Sequence, residues 1–284
     1  MSIKVNTNIQ SLIAQNSVNR NVKLLEKSMT QLSTGLRINS AKDDAAGLVI
    51  SEGMSIQISA SEKAQTNIQD ALNLINIAEG NMISINEDLQ RIRELCVQGA
   101  NEIYTTDSKQ AILNEIQSRL DNIDVMAKGC NFNGLKLLDG SMDTLYIQYG
   151  YGSDKDLHAL DISTISENLQ ISAGGLNAEL PEGITGATMT SDMFRAYMAQ
   201  IDASIEKVSR SRGDCGTYSN RLESTSSNLT TTIENLTAAK SSIVDVDIAK
   251  AASDMIKYQI LQQTSASVLT QANQLPALAL SLLS

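Results

Sequence analysis

Apolar residues recur at alternating steps of four and three along most of the chain. This spacing is typical of helices that pack through an apolar seam against a neighbouring helix. It occurs in the segments 18–36, 68–96, 112–123, 194–236 and 268–282. The sequence therefore predicts a mainly α fold, in which long antiparallel helices form a coiled-coil-like bundle.

The seams at the two ends of the chain are aliphatic. The N-terminal seam consists of Val18, Val22, Leu25, Met29, Leu32 and Leu36. The C-terminal seam includes Leu261, Val268, Leu275 and Leu282. Burial of such a side chain contributes about 1.5–3 kcal/mol, and two helices cannot cover both seams completely against each other. Two interpretations remain open: a partly disordered hairpin, or ends that become ordered only on assembly.

The centre of the chain has a different pattern. Asn133-Gly134 and Asp139-Gly140 are turn signals, and apolar and polar residues alternate in short stretches between 145 and 162. These features predict a small β-hairpin region near 135–165. Residues 174–192 are rich in glycine and lack helical periodicity, so we expect a surface loop there.

The stretch "LSTGLRINSAKDDAAGLVIS", residues 32–51, interrupts the helical pattern. Gly35 can end the first helix, and Ser40 with Asp43 three residues later fits the start of the next. The contact residues predicted in this connector are Arg37, Asp43, Asp44, Ala45, Ala46 and Gly47. The small residues allow another backbone to approach closely. The connector is either an ordinary corner between helices or a contact between subunits.

Charge and composition exclude several classes of function. The net charge of −10 argues against nucleic acid as the main partner. No segment is apolar for long enough to span a bilayer, and the N-terminus lacks the apolar core of a secretory signal peptide. Residues 1–40, in contrast, carry five basic residues against Glu26 alone.

Candidate chemistry is sparse. The single histidine, His158, cannot complete a zinc site, and neither HExxH nor GxSxG occurs. The sequence therefore predicts no enzyme, no metal and no cofactor. Cys96 and Cys215 fall on apolar helical positions, where we expect small buried hydrophobic residues, and Cys130 has no assigned role.

Long stretches at both ends closely resemble bacterial flagellin. They include "IKVNTNIQSLIAQ", "LSTGLRINSAKDDAAGL", "AEGNMISINEDLQRIRELCVQGAN" and "ILQQTSASVLTQANQLPALALSLL". The resemblance covers roughly residues 1–140 and 194–284, and the length leaves no room for the outer domains of larger members. Gly213, Asp214 and Gly216 depart from the family's usual helical sequence, so the continuity of the helix at 210–222 is an open question.

The resemblance implies a structural subunit that self-assembles into the helical flagellar filament used for swimming. It implies a discontinuous terminal-helix core domain, residues 1–40 with 245–284. It also implies a helical rod domain, residues 41–244, with the hairpin and, near 32–51, the connector. The alternative is a hook–filament junction protein of the same superfamily.

The resemblance also implies partners and a location. The partners are other copies of the chain, an export chaperone on the C-terminal helix, and the filament cap and junction proteins. The location is the extracellular filament, reached through the flagellar type III apparatus. Arg91 and Leu95 lie in "LQRIREL", and Glu115 is a glutamate further along the chain. These three residues match positions by which many flagellins contact an animal Toll-like receptor. The helical surface of the rod explains the same residues without a receptor.

Overall fold

The computed structural model describes residues 7–141, 145–150, 152, 154, 159–162, 165, 167–171, 175–181 and 183–281, without the side chains of 275–281. The described part contains five long helices. They are α1 (Ile9–Thr34), α2 (Ala45–Gly99), α3 (Thr106–Gly129), α4 (Ser191–Val244) and α5 (Ile248–Ser281). The predicted mainly α fold is thus confirmed.

The chain forms two compact units. The terminal unit comprises Met1–Ile58 and Glu234–Ser284, and the central unit comprises Ser59–Ile233. Helices α2 and α4 therefore contribute residues to both units. In the terminal unit, α1 packs along α5.

The core of the central unit is built from the seams of α2, α3 and α4. Its fully buried side chains include Ile75, Met82, Ile85, Leu89, Ile92, Ile116, Ile123, Phe194, Ile201 and Val208. Cys96 and Cys215 are also fully buried, as expected for small apolar residues on these seams. The predicted four-and-three spacing is correct here because the seams of the three helices meet in one buried cluster.

Helix α4 continues without a break through Gly213 and Gly216. A glycine inside a helix costs roughly 0.5–1 kcal/mol relative to alanine. Buried neighbours offset this cost, because Val208, Cys215 and Leu222 of the same helix all lie in the core. The helix is therefore continuous across residues 210–222.

Two small antiparallel strand pairs lie in and just before the hairpin region predicted near 135–165. Strand β1 (Asn131–Phe132) pairs with β2 (Leu135–Lys136), and β3 (Tyr146–Gln148) pairs with β4 (Ala159–Asp161). The turn between β1 and β2 has positive φ at both central residues, 49° at Asn133 and 82° at Gly134. This is the geometry for which Asn-Gly is selected in two-residue hairpins.

The segment expected to be a surface loop has both exposed and buried residues where it is described, and part of it packs against α4. Leu176, Ala178 and Met189 are buried. The Tyr197 hydroxyl donates to the carbonyl of Ala178 at 2.6 Å, and the Ser204 hydroxyl donates to that of Leu176 at 2.7 Å. The segment is thus a loop with an exposed side, as predicted, but it is also anchored, because Tyr197 and Ser204 of α4 bond two of its carbonyls.

A first prediction concerns the last residue of α2. A Cβ atom on Gly99 would lie 2.6 Å from the ring of Phe194, which is fully buried and cannot move aside. We expect Gly99→Ala to lower the free energy of unfolding of the central unit by about 1–3 kcal/mol. Gly80→Ala on the same helix is the matched control, because a Cβ atom there meets nothing within 4 Å. It should leave stability unchanged or raise it slightly. Equal effects of both substitutions on thermal unfolding would contradict this packing.

Candidate functional site

The contact between α1 and α5 is made largely by small and polar residues. On α1 the least exposed stripe is Ser11, Ala14, Val18, Asn21, Leu25, Ser28 and Leu32. On α5 it is Ala251, Met255, Tyr258, Gln262, Ser265, Leu269 and Ala272. Side-chain hydrogen bonds connect the helices: Asn8 Nδ2 donates to the Ala272 carbonyl at 2.7 Å, and Asn21 Nδ2 donates to Ser265 Oγ at 3.0 Å. The helices therefore approach closely without burying many large apolar groups.

The predicted terminal seams coincide only in part with this contact. Val18, Leu25 and Leu32 lie on the stripe and are half-buried, as are Val22 and Leu36 beside it. Met29 is 54% exposed, Leu261 39% and Val268 49%. The side chain of Leu275 and the whole of Leu282 lie outside the described residues. Met29, Leu261 and Val268 thus lie outside the α1–α5 contact, and their packing in the filament core stays a prediction.

A set of large apolar side chains remains exposed on the helix pair. We call it the terminal apolar set: Ile9, Leu12, Ile13, Met29, Ile248, Ile256, Ile260, Leu261 and Val268. Single exposed apolar residues are normal on a soluble protein, but a concentration of them indicates an interaction surface. Val49 and Ile56 of α2, seven residues apart, are exposed as well and were missed from the sequence. Their heptad spacing was the signal that could have revealed them.

Arg37 of the connector makes its contacts within its own chain. Its guanidinium donates to the carbonyls of Ser242 and Ile243, and its backbone N–H donates to the Val244 carbonyl at 2.6 Å. Leu36 and Asp245 form an isolated antiparallel bridge beside these contacts. Arg37 was predicted as a subunit contact, but these donors are already engaged.

Asp43 and Asp44 have different roles. Asp43 forms an ion pair with Lys27 at 2.8 Å and accepts hydrogen bonds from Ser40 Oγ and the Asn39 N–H. The bond from Lys27 is the main cause that lowers the pKa of the Asp43 carboxyl. Asp44 Oδ1 accepts from the Gly47 N–H at 2.9 Å, just ahead of α2. The expected helix start at Ser40 was therefore wrong: α2 begins at Ala45, capped by Asp44.

The three small residues after Asp44 also differ in their surroundings. Ala45 and Ala46 are exposed, whereas Gly47 is buried. A Cβ atom on Gly47 would lie 2.7 Å from Ile38 Cδ1 and 2.5 Å from the Asp44 carboxylate. The small size of Gly47 is thus required for packing within the chain, and only the two alanines remain open to a neighbour.

The receptor-matching residues do not form one exposed patch. Arg91 Nε lies 3.3 Å from Glu115 Oε1, so α2 and α3 bring these two side chains together. Leu95, however, is only 2% exposed and belongs to the core. Its predicted place on an exposed receptor surface is therefore not supported. Arg119 continues the row of charges, because it pairs with both Glu115 and Asp88.

The described residues hold little reactive chemistry. They contain no cluster of three or more His, Cys, Asp or Glu side chains suited to a metal ion. Burial raises the pKa of the Cys96 thiol to about 12 and those of Cys130 and Cys215 to about 11. Thiols with such pKa values are poor nucleophiles at neutral pH. No helix in the part of the chain that the structure describes is long and apolar enough to cross a membrane.

Comparisons with known proteins agree on one family. The model of the bacterial flagellin N-terminal helical region matches residues 5–143, and that of the bacterial flagellin C-terminal helical region matches 198–283. The flagellin of Bacillus subtilis (strain 168) is 39% identical, with 99% of this chain and 100% of that protein aligned. The flagellin of Halalkalibacterium halodurans is 38% identical, covering 98% and 99%. The flagellar filament 33 kDa core protein of Treponema phagedenis is 35% identical, also covering 98% and 99%.

A second prediction concerns the cap of α2. Asp44→Ala removes the acceptor for the Gly47 N–H, which costs about 1 kcal/mol and should speed amide exchange at residues 45–48 about fivefold. Asp44→Asn keeps a capping oxygen and should exchange nearly as slowly as the unaltered protein. Hydrogen–deuterium exchange of peptides spanning 39–50 measures both. Equally fast exchange in the two variants would show that the cap is not made by the side-chain oxygen.

Proposed function

Because the chain belongs to the bacterial flagellin family and is a structural subunit that self-assembles into the helical flagellar filament, we propose that its terminal unit supplies the main contacts between copies. One observation supports this assignment above the others: the terminal apolar set is exposed on the single chain. Motility follows from the flagellar role.

The physics of an open filament favours such a surface. A filament that grows without closing needs heterologous contacts, in which different surfaces of successive subunits meet. Removal of apolar surface from water is the main favourable contribution to such contacts, at about 25 cal/mol per Å². The terminal apolar set offers this contribution on both helices of the α1–α5 pair.

This proposal assigns different roles to two parts of the chain. Residues 1–40 with 245–284 form the core-lining domain, and residues 41–244 form the rod. The compact units divide the chain at other positions, after Ile58 and after Ile233. We therefore assign residues 45–58 of α2, with exposed Val49 and Ile56, to the contact surface together with the terminal helices.

The two alternatives have less support. A hook–filament junction protein is disfavoured because the family models and the curated relatives are those of flagellins and filament core proteins. The family is structural, and we propose that this chain has no catalytic activity. Its buried thiols and the absence of a metal-type cluster among the described residues support that proposal.

The remaining partners are part of the same proposal. As a filament component, the subunit is extracellular, and we assign its export to the flagellar type III apparatus. A chaperone that covers α5 before assembly would shield Ile256, Ile260, Leu261 and Val268. The filament cap and the junction proteins would contact the same terminal surfaces at the two ends of the filament.

Recognition by an animal Toll-like receptor is proposed for the face that carries Arg91 and Glu115. Both side chains are solvent-accessible and lie within ion-pair distance of each other. Arg91 also pairs with Glu94 at 2.9 Å. A receptor would therefore have to share or replace existing ion pairs. Leu95 would contribute only by holding α2 in place.

A third prediction tests the contact surface. Ile256→Ser combined with Ile260→Ser replaces two side chains that are 53% and 57% exposed, so the fold of the monomer should be retained. We expect the critical concentration for polymerisation to rise by about tenfold or more, because less apolar surface is covered on assembly. Sedimentation after seeding with filament fragments measures this concentration.

Ile103→Ser is the matched control for that variant. Ile103 is 85% exposed but belongs to the central unit. It should assemble at nearly the unaltered critical concentration. Normal assembly of the Ile256–Ile260 variant, or an equally large defect for the control, would contradict the assignment of the terminal unit.

A fourth prediction tests the receptor face. Arg91→Ala and Glu115→Ala should each weaken receptor signalling by monomers roughly tenfold or more, since interface arginines are often hot spots. Arg93→Ala is the control, because Arg93 lies on the same helix but pairs with Asp202 of α4. Signalling in reporter cells is the measurement. A loss that is no greater for Arg91 than for Arg93 would place the epitope elsewhere.

A further inference from the structure

Two short linkers meet in the terminal unit. The first linker, residues 35–44, joins α1 to α2, and the second linker, residues 245–247, joins α4 to α5. They are connected by the Leu36–Asp245 bridge and by a hydrogen bond from the Val246 N–H to the Gly35 carbonyl at 3.0 Å. The two linkers are thus held side by side although they are about 200 positions apart in sequence.

Arg37 adds a side-chain contact to this backbone connection. Its Nε donates to the Ile243 carbonyl at 3.1 Å, and its Nη2 donates to the Ser242 carbonyl at 3.3 Å. These carbonyls belong to the last turn of α4, where backbone acceptors lack partners within the helix. A positive charge is also favourable at the negative end of the helix dipole. The guanidinium therefore caps α4 from a residue of the other linker.

The surroundings fix the backbone of Arg37 in this position. Gln31 Nε2 donates to the Arg37 carbonyl at 3.0 Å, and the Arg37 N–H donates to the Val244 carbonyl at 2.6 Å. On the second linker, Ser241 Oγ donates to Asp245 Oδ2 at 2.6 Å. Gly35, with φ of 72°, ends α1 and turns the chain toward this contact.

The position of this connection gives it a consequence for the helix pair. Helix α1 ends at Thr34, directly before the first linker, and α5 begins at Ile248, directly after the second. Holding the linkers together therefore fixes the axial offset between α1 and α5. That offset determines which members of the terminal apolar set lie at the same level, and a neighbouring copy must match this arrangement.

We propose that Arg37 is a positioning residue for filament assembly, which acts within its own chain by capping α4 and holding the two linkers together. The proposal rests on the assigned role of the terminal unit in assembly. It differs from a direct subunit contact through Arg37, in which the guanidinium would bind a neighbouring copy.

The test begins with Arg37→Ala and Arg37→Lys in the full-length chain. Arg37→Ala should raise the critical concentration for polymerisation about tenfold, while the thermal unfolding of the central unit stays unchanged. Lysine keeps the charge but has no planar fork that reaches two carbonyls. Arg37→Lys should therefore also be defective. If Arg37→Lys assembles normally, or if Arg37→Ala has no effect, the proposal is overturned.

The second part of the test replaces the connection between the two linkers with a disulfide. Leu36→Cys and Asp245→Cys are introduced together, since antiparallel partners lie about 4.5–5.5 Å apart at Cα, within disulfide range. Oxidised glutathione then forms the disulfide. The native thiols interfere little because they are buried and their pKa values are about 11 to 12. Reduced and oxidised samples are compared with Arg37 present and with Arg37→Ala.

The two models give opposite results in this part of the test. If Arg37 holds the linkers together, the disulfide restores assembly to the Arg37→Ala chain and reduction abolishes the rescue. If Arg37 binds a neighbouring copy, the disulfide forms without rescue, and the proposal is overturned. Failure of the disulfide to form with Arg37 present would overturn it too, because the linkers would then not be adjacent. If the unaltered chain failed to polymerise, the proposed function itself would be wrong.

Discussion

Two helices share only one contact stripe, and every apolar side chain outside that stripe needs another partner. The rest of the molecule can be understood from this constraint. In the α1–α5 pair the stripe is occupied by residues such as Ala14, Ser28 and Ala272, which bring the backbones close. Large side chains such as Ile13 and Ile260 are left outside it. A helix pair of this kind is incomplete as a monomer and complete when other copies cover it.

In the central unit, most apolar seam residues are covered by other parts of the same chain. The seams of its three helices meet in one buried cluster, and the segments between β4 and α4 are fastened by polar side chains of α4. Tyr197 and Ser204 donate to backbone carbonyls there, and Lys207 Nζ donates to the Gly175 carbonyl at 2.8 Å. Most seam residues of this unit are therefore covered within the chain, whereas the terminal unit keeps its apolar surface available. The net charge of −10 adds a general repulsion between unassembled subunits.

The sequence predicts the fold well where the apolar residues of a helix lie on a single face. The seam from Ile68 to Cys96 is buried as expected apart from Leu72, which is partly buried, because its residues join one core cluster with residues of α3 and α4. The terminal helices are harder because apolar residues occur on more than one face, so the spacing alone does not select the stripe inside the pair. Leu95 shows a related ambiguity: the same residue belongs to a recognisable motif and to the core. The contacts of Arg37 were beyond sequence reasoning, because their acceptors are backbone carbonyls about 200 positions away that no side-chain pattern marks.

The central claim is that the terminal apolar set becomes covered by other copies in the filament. Ile260→Cys places a thiol where the native side chain is 57% exposed, on a background of three buried thiols. The rate of maleimide labelling at this thiol, measured on monomers and on sedimented filaments, tests the claim most directly. We expect rapid labelling of the monomer and strong protection in the filament. Equal labelling rates in the two states would contradict the claim, because the side chain would then remain in solvent after assembly.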